Sequence, residues 1–275
     1  MQYFVTGATG FIGKRLVSKL LARKGAVVHF LIRKESESKV KALREFWGVS
    51  AARAVPVFGD LTEKKLGVAA DMVKSLKGKI DHFYHLAAVY DLAADEETQV
   101  AVNIDGTRNT VEFAKAIDAG HFHHVSSIAA AGLYEGVFRE DMFEEAEGLD
   151  HPYFMTKHES EKIVRKECKV PWTVYRPAAV VGDSQTGEMD KIDGPYYFFK
   201  LISGCGRSCR RGFLRSDWKA GASISCRWTS WSRRWTTSAT PRTASPASVS
   251  TSWTRWVTAS ATCSTSSARP RTRRR

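Results

Sequence analysis

The stretch that decides the fold spans eight residues near the start of the chain and reads Thr6-Gly7-Ala8-Thr9-Gly10-Phe11-Ile12-Gly13. Gln2 to Val5, before it, has the apolar character of a short buried strand, and Phe11 to Lys24, after it, carries apolar residues at the spacing of one helix face. In such a strand-to-helix turn the first glycine permits the bend, the second lets the backbone approach a pyrophosphate, and the third lets helix and strand pack closely. A tight turn without a ligand is the alternative, but this context favours a phosphate site at the start of the helix.

The second predicted strand favours a particular dinucleotide. Ala26 to Ile32 is mostly apolar and is followed by Arg33 and Lys34, where an NAD site usually has an acid for the ribose 2′-hydroxyl. A guanidinium suits a 2′-phosphate, so Arg33 favours NADPH over NADH, unless it is only a solvated loop charge. Asp60 follows the third predicted strand, Val55 to Phe58, and could accept a hydrogen bond from the adenine amino group.

The alternation of strands and helices continues along the chain. Further strands are predicted at Ile80 to Leu86, His121 to Ser126 and Trp172 to Tyr175, with helices at Thr98 to Ile117 and Tyr153 to Cys168. This order predicts an α/β fold with a doubly wound parallel sheet, whose ligand crevice lies beyond the carboxyl ends of the strands. Several candidate residues fall at those ends: Gly7, Asp60, Ala87, Ser127 and Arg176.

Tyr153 and Lys157 are four residues apart on a predicted helix, so both side chains point from one face. A nearby lysine cation stabilises a phenolate, which predicts a lowered pKa for Tyr153 and a role as general acid or base. Ser127, directly after a strand, could bond a substrate carbonyl oxygen and hold developing negative charge there. Together the three residues predict a centre for carbonyl or alcohol redox chemistry.

These motifs resemble those of extended short-chain dehydrogenase/reductases, and the match covers residues 1 to 202. The matching positions are the glycine turn, Asp60-Leu61, His85-Leu86-Ala87-Ala88, Asn103, Ser127, Tyr153-x-x-x-Lys157 and Arg176-Pro177. Within that family the chain is most similar to bacterial fatty acyl-CoA and fatty aldehyde reductases, through residues 123–132, 138–146 and 194–199.

The resemblance implies NADPH-dependent reduction of a long-chain acyl thioester or aldehyde. It assigns Ser127, Tyr153 and Lys157 to catalysis, with Asn103 supporting the lysine through water. The implied cofactor-binding residues are Thr6, Gly7, Thr9, Gly10, Phe11, Ile12, Gly13, Arg33, Asp60, Leu61, Ala87, Ala88, Tyr153, Lys157 and Pro177. A sugar-nucleotide epimerase or dehydratase, a hydroxysteroid dehydrogenase and a non-catalytic dinucleotide sensor stay open as alternatives.

Neither a metal site nor a membrane segment is expected. His121, His123 and His124 could be taken for metal ligands, but strand alternation sends His124 to the other face, and a polar strand edge is the simpler interpretation. No run approaches the roughly 20 apolar residues of a membrane span, and the first strand leaves no room for a signal peptide, so a cytoplasmic location is expected.

The composition changes near residue 203. Residues 203–275 hold 15 Lys and Arg against one acid, Asp217, whereas residues 1–202 hold 27 against 28. The same 73 residues contain six of the eight Trp and 27 Ser and Thr. A nucleic-acid-binding tail, a disordered linker and an out-of-frame translation are the three explanations.

Out-of-frame translation is favoured for this segment, because Trp, Cys and most Ser codons begin with T. A shift of one base moves that T to the middle position, where it specifies apolar residues, and the shifted frame then reads like a helix and a strand of the same reductases. The sequence therefore predicts a cofactor domain with the start of a substrate lobe over residues 1–202, a truncated lobe, and a poorly ordered basic tail for which nucleic acid is an unfavoured partner.

Overall fold

The computed structural model describes residues 1–90, 94–183, 186–189, 225–227 and 247–250. Within them, seven strands form one sheet in the order β3-β2-β1-β4-β5-β6-β9. Every pairing in this sheet is parallel. Its strands are β1 (Gln2–Thr6), β2 (Val27–Ile32), β3 (Ala54–Phe58), β4 (His82–His85), β5 (Phe122–Val125), β6 (Trp172–Tyr175) and β9 (Ala247–Ser250). The predicted doubly wound parallel sheet is thereby confirmed.

The helices lie on both faces of the sheet, as such a sheet requires. They are α1 (Phe11–Leu21), α2 (Lys39–Trp47), α3 (Ala70–Leu76), α4 (Glu96–Gln99), α5 (Gly106–Ala116) and α6 (Pro152–Glu167). The single helix predicted over Thr98 to Ile117 is instead α4 and α5 joined by a π-helical segment, Val100–Asp105. A second, separate pair consists of β7 (Ala179–Val181) and β8 (Ser225–Arg227), also parallel.

The core has two layers because strand side chains alternate between the faces of the sheet. Tyr3 and Val5 of β1 pack with residues of α1 and α2, whereas Phe4 packs with the cluster that includes α5 and α6. The ring of Phe4 stacks on Phe83 of β4 with centroids 4.7 Å apart and lies 5.2 Å from Phe113 of α5. Both faces of the sheet are thus covered by helices.

Strand order reverses direction between β1 and β4, which lie side by side although two strands separate them in sequence. Their last residues, Thr6 and His85, are register partners. Open α/β sheets bind ligands beyond the carboxyl ends of the strands at such a reversal. The candidate site is therefore at the ends of β1 and β4, beside the glycine turn.

Part of the sequence interpretation lies outside the described residues. This holds for residues 194–199, which carry part of the resemblance to the acyl reductases, and for most of residues 203–275. Within the predicted tail, the described residues are those of β8 and β9. The boundary at residue 202 stays a prediction.

Candidate active site

Two positions of the glycine turn have no room for a side chain. Gly7 has φ +73°, and a Cβ there would lie 2.7 Å from the backbone nitrogen of Ala87. A Cβ on Gly13 would collide with the carbonyl oxygen of Gly7. Only glycine therefore allows the start of α1 to pack this closely against the ends of β1 and β4.

Gly10 has a different function from these two. It is the N-cap of α1 and offers no side-chain oxygen to the first N–H groups of the helix. Among the described residues, the one atom near an added Cβ would be the Gly7 carbonyl oxygen, at 3.5 Å, which leaves room in front of the helix N-terminus. An uncapped helix start next to bare backbone fits a phosphate group.

A buried network of side chains joins the glycine turn to β4. The hydroxyl oxygen of Thr6 lies 2.7 Å from Nδ1 of His85 and accepts a hydrogen bond from the backbone N–H of Ala87 at 3.3 Å. Nε2 of His85 lies 3.1 Å from the hydroxyl of Thr107, which donates to the Asn103 carbonyl oxygen. This network fixes the two strand ends that border the crevice.

The structure places Ser127 next to Tyr153, and it places Lys157 on the same helix as Tyr153. Ser127 caps the short 3₁₀ turn Ile128–Ala131, its Oγ accepting from the Ala129 N–H at 3.1 Å. Ser127 is also hydrogen-bonded to the Tyr153 side chain on α6. Lys157 is buried one turn further along the same helix.

The predicted direction of the Tyr153 pKa shift is wrong. Burial raises the pKa of Tyr153, and the hydrogen bond from Ser127 opposes this rise only in part. Lys157 is not among the groups that shift it. Burial also lowers the pKa of Lys157 to about 8, against the opposing effect of the Glu161 carboxylate. Desolvation of both groups therefore outweighs the attraction on which the prediction was based.

Asn103 lies in the π-helical segment and is buried. Its carboxamide accepts from the backbone N–H of Val89 at 2.8 Å and donates to the Val89 carbonyl oxygen at 3.0 Å. It also donates to the hydroxyl of Thr156, at 3.2 Å, next to Lys157 in sequence. Asn103 thus joins the segment after β4 to α6, whereas its water-mediated support of Lys157 stays a prediction.

Two residues predicted to bind the cofactor follow β2 and β3 in the chain. Arg33 follows β2 and is exposed. Asp60 follows β3, and its Oδ1 accepts from both the backbone N–H and the hydroxyl of Thr62, at 2.9 and 2.8 Å. Leu61 is half-buried, and its carbonyl oxygen accepts from Asn109 at 2.8 Å.

The remaining residues predicted to bind the cofactor differ in their exposure. Thr9 is exposed and Phe11, Ile12, Ala87 and Ala88 are half-buried. Pro177 is buried after β6, where its carbonyl oxygen accepts from the Ile128 N–H at 3.1 Å.

Sequence reasoning missed two buried charged residues near these contacts. Arg15, four residues after Phe11, places its guanidinium 4.1 Å from that ring and pairs with Glu188 at 2.8 Å. Glu161, four residues after Lys157, is fully buried and pairs with Arg176. The four-residue helical spacing was the available signal for both.

The histidines divide between the two faces of the sheet as strand alternation predicts. His123 stacks on Tyr84 with ring centroids 4.3 Å apart, and His124 stacks on His85 at 5.4 Å. The interpretation as a polar strand edge is wrong, because β5 lies between β4 and β6 and both residues are buried. Across the described ranges no group of His, Cys, Asp and Glu is arranged to hold a metal ion.

Comparison with known proteins identifies this arrangement. A family model for NAD-binding proteins, described as male sterility protein, matches residues 5–218. The chain belongs to this family. One relative is a linear gramicidin synthase subunit from Brevibacillus parabrevis, which is 32% identical over 204 residues. The matched segment covers 69% of the chain and 4% of that protein. The large subunit of L-2-aminoadipate reductase from Penicillium chrysogenum is 27% identical over 231 residues, covering 74% and 16%.

Solved structures agree with this family assignment. The terminal R domain of the myxalamid PKS-NRPS pathway superposes with a TM-score of 0.62 at 29% identity, covering 75% of the chain and 55% of that domain. A UDP-glucuronic acid 4-epimerase variant from Bacillus cereus, in complex with NAD, superposes with a TM-score of 0.56 at 25% identity, covering 74% and 64%. The family model and these neighbours confirm the predicted extended short-chain dehydrogenase/reductase family and its Rossmann-like fold.

The chain spans less than half the length of the curated relatives it matches, from 4% to 41%. Among the residues that the structure describes, no helix has the length and apolar character needed to cross a membrane.

Proposed function

We propose that this protein catalyses NADPH-dependent reduction of a long-chain fatty acyl-CoA or fatty aldehyde at a centre formed by Ser127, Tyr153 and Lys157. The observation that carries the proposal is the hydrogen bond between Ser127 and Tyr153, with Lys157 buried one turn away, beside the glycine turn. A Drosophila melanogaster protein named provisionally as a fatty acyl-CoA reductase, 24% identical over 221 residues, supports the substrate class.

The residues present fit a nicotinamide dinucleotide. The start of α1 is uncapped, and side chains at Gly7 and Gly13 would fill the turn that leads to it. Its N–H groups would hold the pyrophosphate, and Arg33 would bind the 2′-phosphate. Ala87 and Ala88 would lie against the adjoining part of the cofactor. When bound, the reduced nicotinamide supplies a hydride to the substrate carbonyl carbon.

The chain's own residues supply the proton and hold the substrate. The Ser127 hydroxyl donates a hydrogen bond to the carbonyl oxygen, and Tyr153 transfers its phenolic proton to that oxygen as the carbon is reduced. An aldehyde becomes the alcohol in this step, whereas an acyl-CoA becomes a hemithioacetal, whose C–S bond then breaks to release the aldehyde and the CoA thiol. The raised pKa of Tyr153 keeps the phenol protonated, which suits it to act as the acid. Lys157, with a pKa of about 8, is mostly an ammonium at pH 7 and holds a positive charge one helical turn from Tyr153.

The test is a substrate panel with NADPH and NADH. Long-chain acyl-CoAs, long-chain aldehydes, a UDP-sugar and a hydroxysteroid are each offered to the purified protein and to a version with the frame after residue 202 restored. Turnover is followed by cofactor absorbance and product analysis. Turnover confined to the acyl substrates with NADPH supports the proposal. Conversion of the UDP-sugar alone would instead favour an epimerase, the alternative supported by the Bacillus cereus neighbour.

A second proposal concerns residues 203–275, which we infer to be translated out of frame. Their excess of 14 positive charges and their six Trp contrast with the nearly neutral residues 1–202. About 200 residues can bury a sizeable core, so the cofactor domain is expected to form, while a cationic segment replaces the substrate lobe. We therefore expect the printed chain to bind NADPH weakly and to reduce acyl substrates poorly. Sequencing the DNA across codons 195 to 210 tests the frame directly.

A further inference from the structure

A buried cluster of charges lies one turn beyond Lys157 on α6. Glu161 is fully buried, and its two carboxylate oxygens accept from Nη2 and Nε of Arg176, at 2.6 and 3.0 Å. Arg176 follows β6 and is itself only 2% exposed. Paired oxygens facing the planar guanidinium make this a bidentate ion pair, the strong and geometrically specific form of the interaction.

The guanidinium of Arg176 also binds a loop that is distant in sequence. It donates to the Met142 carbonyl oxygen at 2.9 Å and to the Arg139 carbonyl oxygen at 3.3 Å. Its central carbon lies 5.0 Å from the centre of the Phe138 ring. Residues 138–143, here called the anchored loop, are thus attached to the end of β6 and, through Glu161, to α6.

Further contacts bind the anchored loop to the same helix. The ring of Phe143 stacks on His158 with centroids 4.2 Å apart and planes 7° from parallel. Nδ1 of His158 lies 2.9 Å from the carbonyl oxygen of Ala130, in the turn that Ser127 caps. Arg165 bonds Glu161 at 2.9 Å and lies over the Phe143 ring at 4.5 Å. The loop, the Ser127 turn and α6 therefore form one connected body.

The same carboxylate acts on Lys157. Tyr153, Lys157 and Glu161 follow each other at four-residue intervals, so they share one face of α6. Lys157 is faced by neutral imidazoles from two strands, His85 on β4 and His124 on β5, since burial lowers the pKa of both. Burial also lowers the pKa of Lys157, and Glu161 is the group that raises it.

We propose that Glu161 is a positioning residue with two linked effects: paired with Arg176, it fixes the anchored loop to α6, and it places a carboxylate one helical turn from Lys157 on the same face of α6. The inference rests on the proposed function for the importance of Lys157. Both of its tests are independent of turnover, so they can fail or succeed whatever the substrate is.

The first test measures the ionisation of Lys157 in the full chain. The ¹³Cε resonance of labelled lysine, assigned with Lys157→Arg, is titrated in the wild type and in Glu161→Gln. We expect the midpoint to fall by about one pH unit or more in the variant, because the carboxylate is lost while burial remains. Glu159→Gln is the matched control, since Glu159 lies on the same helix and pairs with Lys162 at the surface, at 2.8 Å. An unchanged midpoint in Glu161→Gln would overturn the electrostatic effect.

The second test measures hydrogen exchange in the peptide that contains the anchored loop. Arg176→Lys keeps the positive charge but loses the planar fork, so we expect exchange in residues 138–143 to accelerate by about tenfold. In Arg176→Lys, the titration midpoint of Lys157 should stay as close to the wild-type value as it does in the Glu159→Gln control. If residues 138–143 exchange as slowly in Arg176→Lys as in the wild type, the anchoring effect is overturned.

Removing one partner of a buried ion pair leaves an uncompensated charge, so Glu161→Gln alone could unfold the protein. The double variant Glu161→Gln, Arg176→Gln removes both charges, so the anchoring of the loop can be tested without an unpaired buried charge. Its folded state is checked by circular dichroism. Faster loop exchange in this variant supports the proposal, and exchange equal to that of the wild type overturns it.

Discussion

Ser127 and Tyr153 are hydrogen-bonded to each other although they are 26 positions apart and belong to different elements. Ser127 begins the turn after β5, and Tyr153 lies in the first turn of α6. The parallel sheet explains this meeting, since the residues that follow its strands gather at one edge, where α6 also begins. That edge carries the uncapped helix start of the glycine turn as well. The hydroxyl, the phenol and the expected cofactor site are therefore placed by one topology.

Replacing Tyr153 with Phe should separate chemistry from binding. The variant lacks the transferable proton but keeps the ring, so we expect kcat to fall by about 10² to 10⁴ while NADPH affinity changes less than twofold. Turnover and the fluorescence of bound NADPH give the two measurements. Phe154→Leu is a neighbouring control without a predicted role in proton transfer. Equal turnover in wild type and Tyr153→Phe would remove Tyr153 from the mechanism.

Two glycines in the same turn should respond differently to alanine. Gly13→Ala places a methyl group into the Gly7 carbonyl oxygen, so we expect a loss of about 1–3 kcal/mol in the free energy of unfolding. Gly10→Ala has room within the protein and should fold normally, but its methyl group occupies the expected path of the pyrophosphate. Denaturant unfolding and NADPH titration measure the two effects. Normal stability in Gly13→Ala, or normal NADPH binding in Gly10→Ala, contradicts the assignment concerned.

The choice between NADPH and NADH is expected to depend on Arg33. Loss of a charge-assisted contact costs about 1.5–3 kcal/mol, so Arg33→Ala should weaken NADPH binding by about tenfold or more. NADH has no 2′-phosphate, and its affinity should stay unchanged. Lys41→Ala, on α2, serves as a control for general loss of positive charge. If Arg33→Ala weakens both cofactors equally, Arg33 is only a solvated loop charge.

The parts of the site that the sequence predicts are those with a local signal. The glycine spacing, the strand-helix alternation and the spacing of Tyr153 and Lys157 are readable without coordinates, and the structure places them as expected. The pKa of Tyr153 is raised and not lowered as predicted, because burial of the phenol depends on every element that covers it. The pairing of Glu161 with Arg176 joins α6 to the end of β6, so its geometry appears only after folding. The π-helical segment around Asn103 has no glycine or proline to mark it.

Stability should fall in acid because three histidines are buried in the sheet. Burial lowers the pKa of His85, His123 and His124, for His124 to about 3. Above pH 6.5 these groups are neutral in both the folded and the unfolded states. Below it the unfolded state binds protons that the folded state does not, so each group costs about 1.4 kcal/mol per pH unit.

The contribution of His124 can be isolated. Both of its ring nitrogens lack a hydrogen-bond partner among the described residues, so Leu at this position removes an unsatisfied group as well as a titrating one. We expect His124→Leu to show a shallower loss of unfolding free energy between pH 6.5 and pH 4.5, by up to about 1.4 kcal/mol per pH unit. Urea unfolding at several pH values provides the measurement. Identical pH dependence in the variant and wild type would show that His124 does not titrate on unfolding in this range.

Restoring the inferred frame after residue 202 should raise both cofactor binding and turnover. Residues 203–275 have a charge excess of +14, and the mutual repulsion of these charges opposes the formation of a compact substrate lobe. We expect the frame-corrected protein to bind NADPH at least about tenfold more tightly, a difference of about 1.4 kcal/mol, and to reduce acyl substrates faster. A chain ending at residue 202 is the matched control, and it should behave like the printed chain if the basic segment contributes nothing. Equal turnover by the printed and frame-corrected proteins would contradict the frameshift and return residues 203–275 to the status of a functional segment.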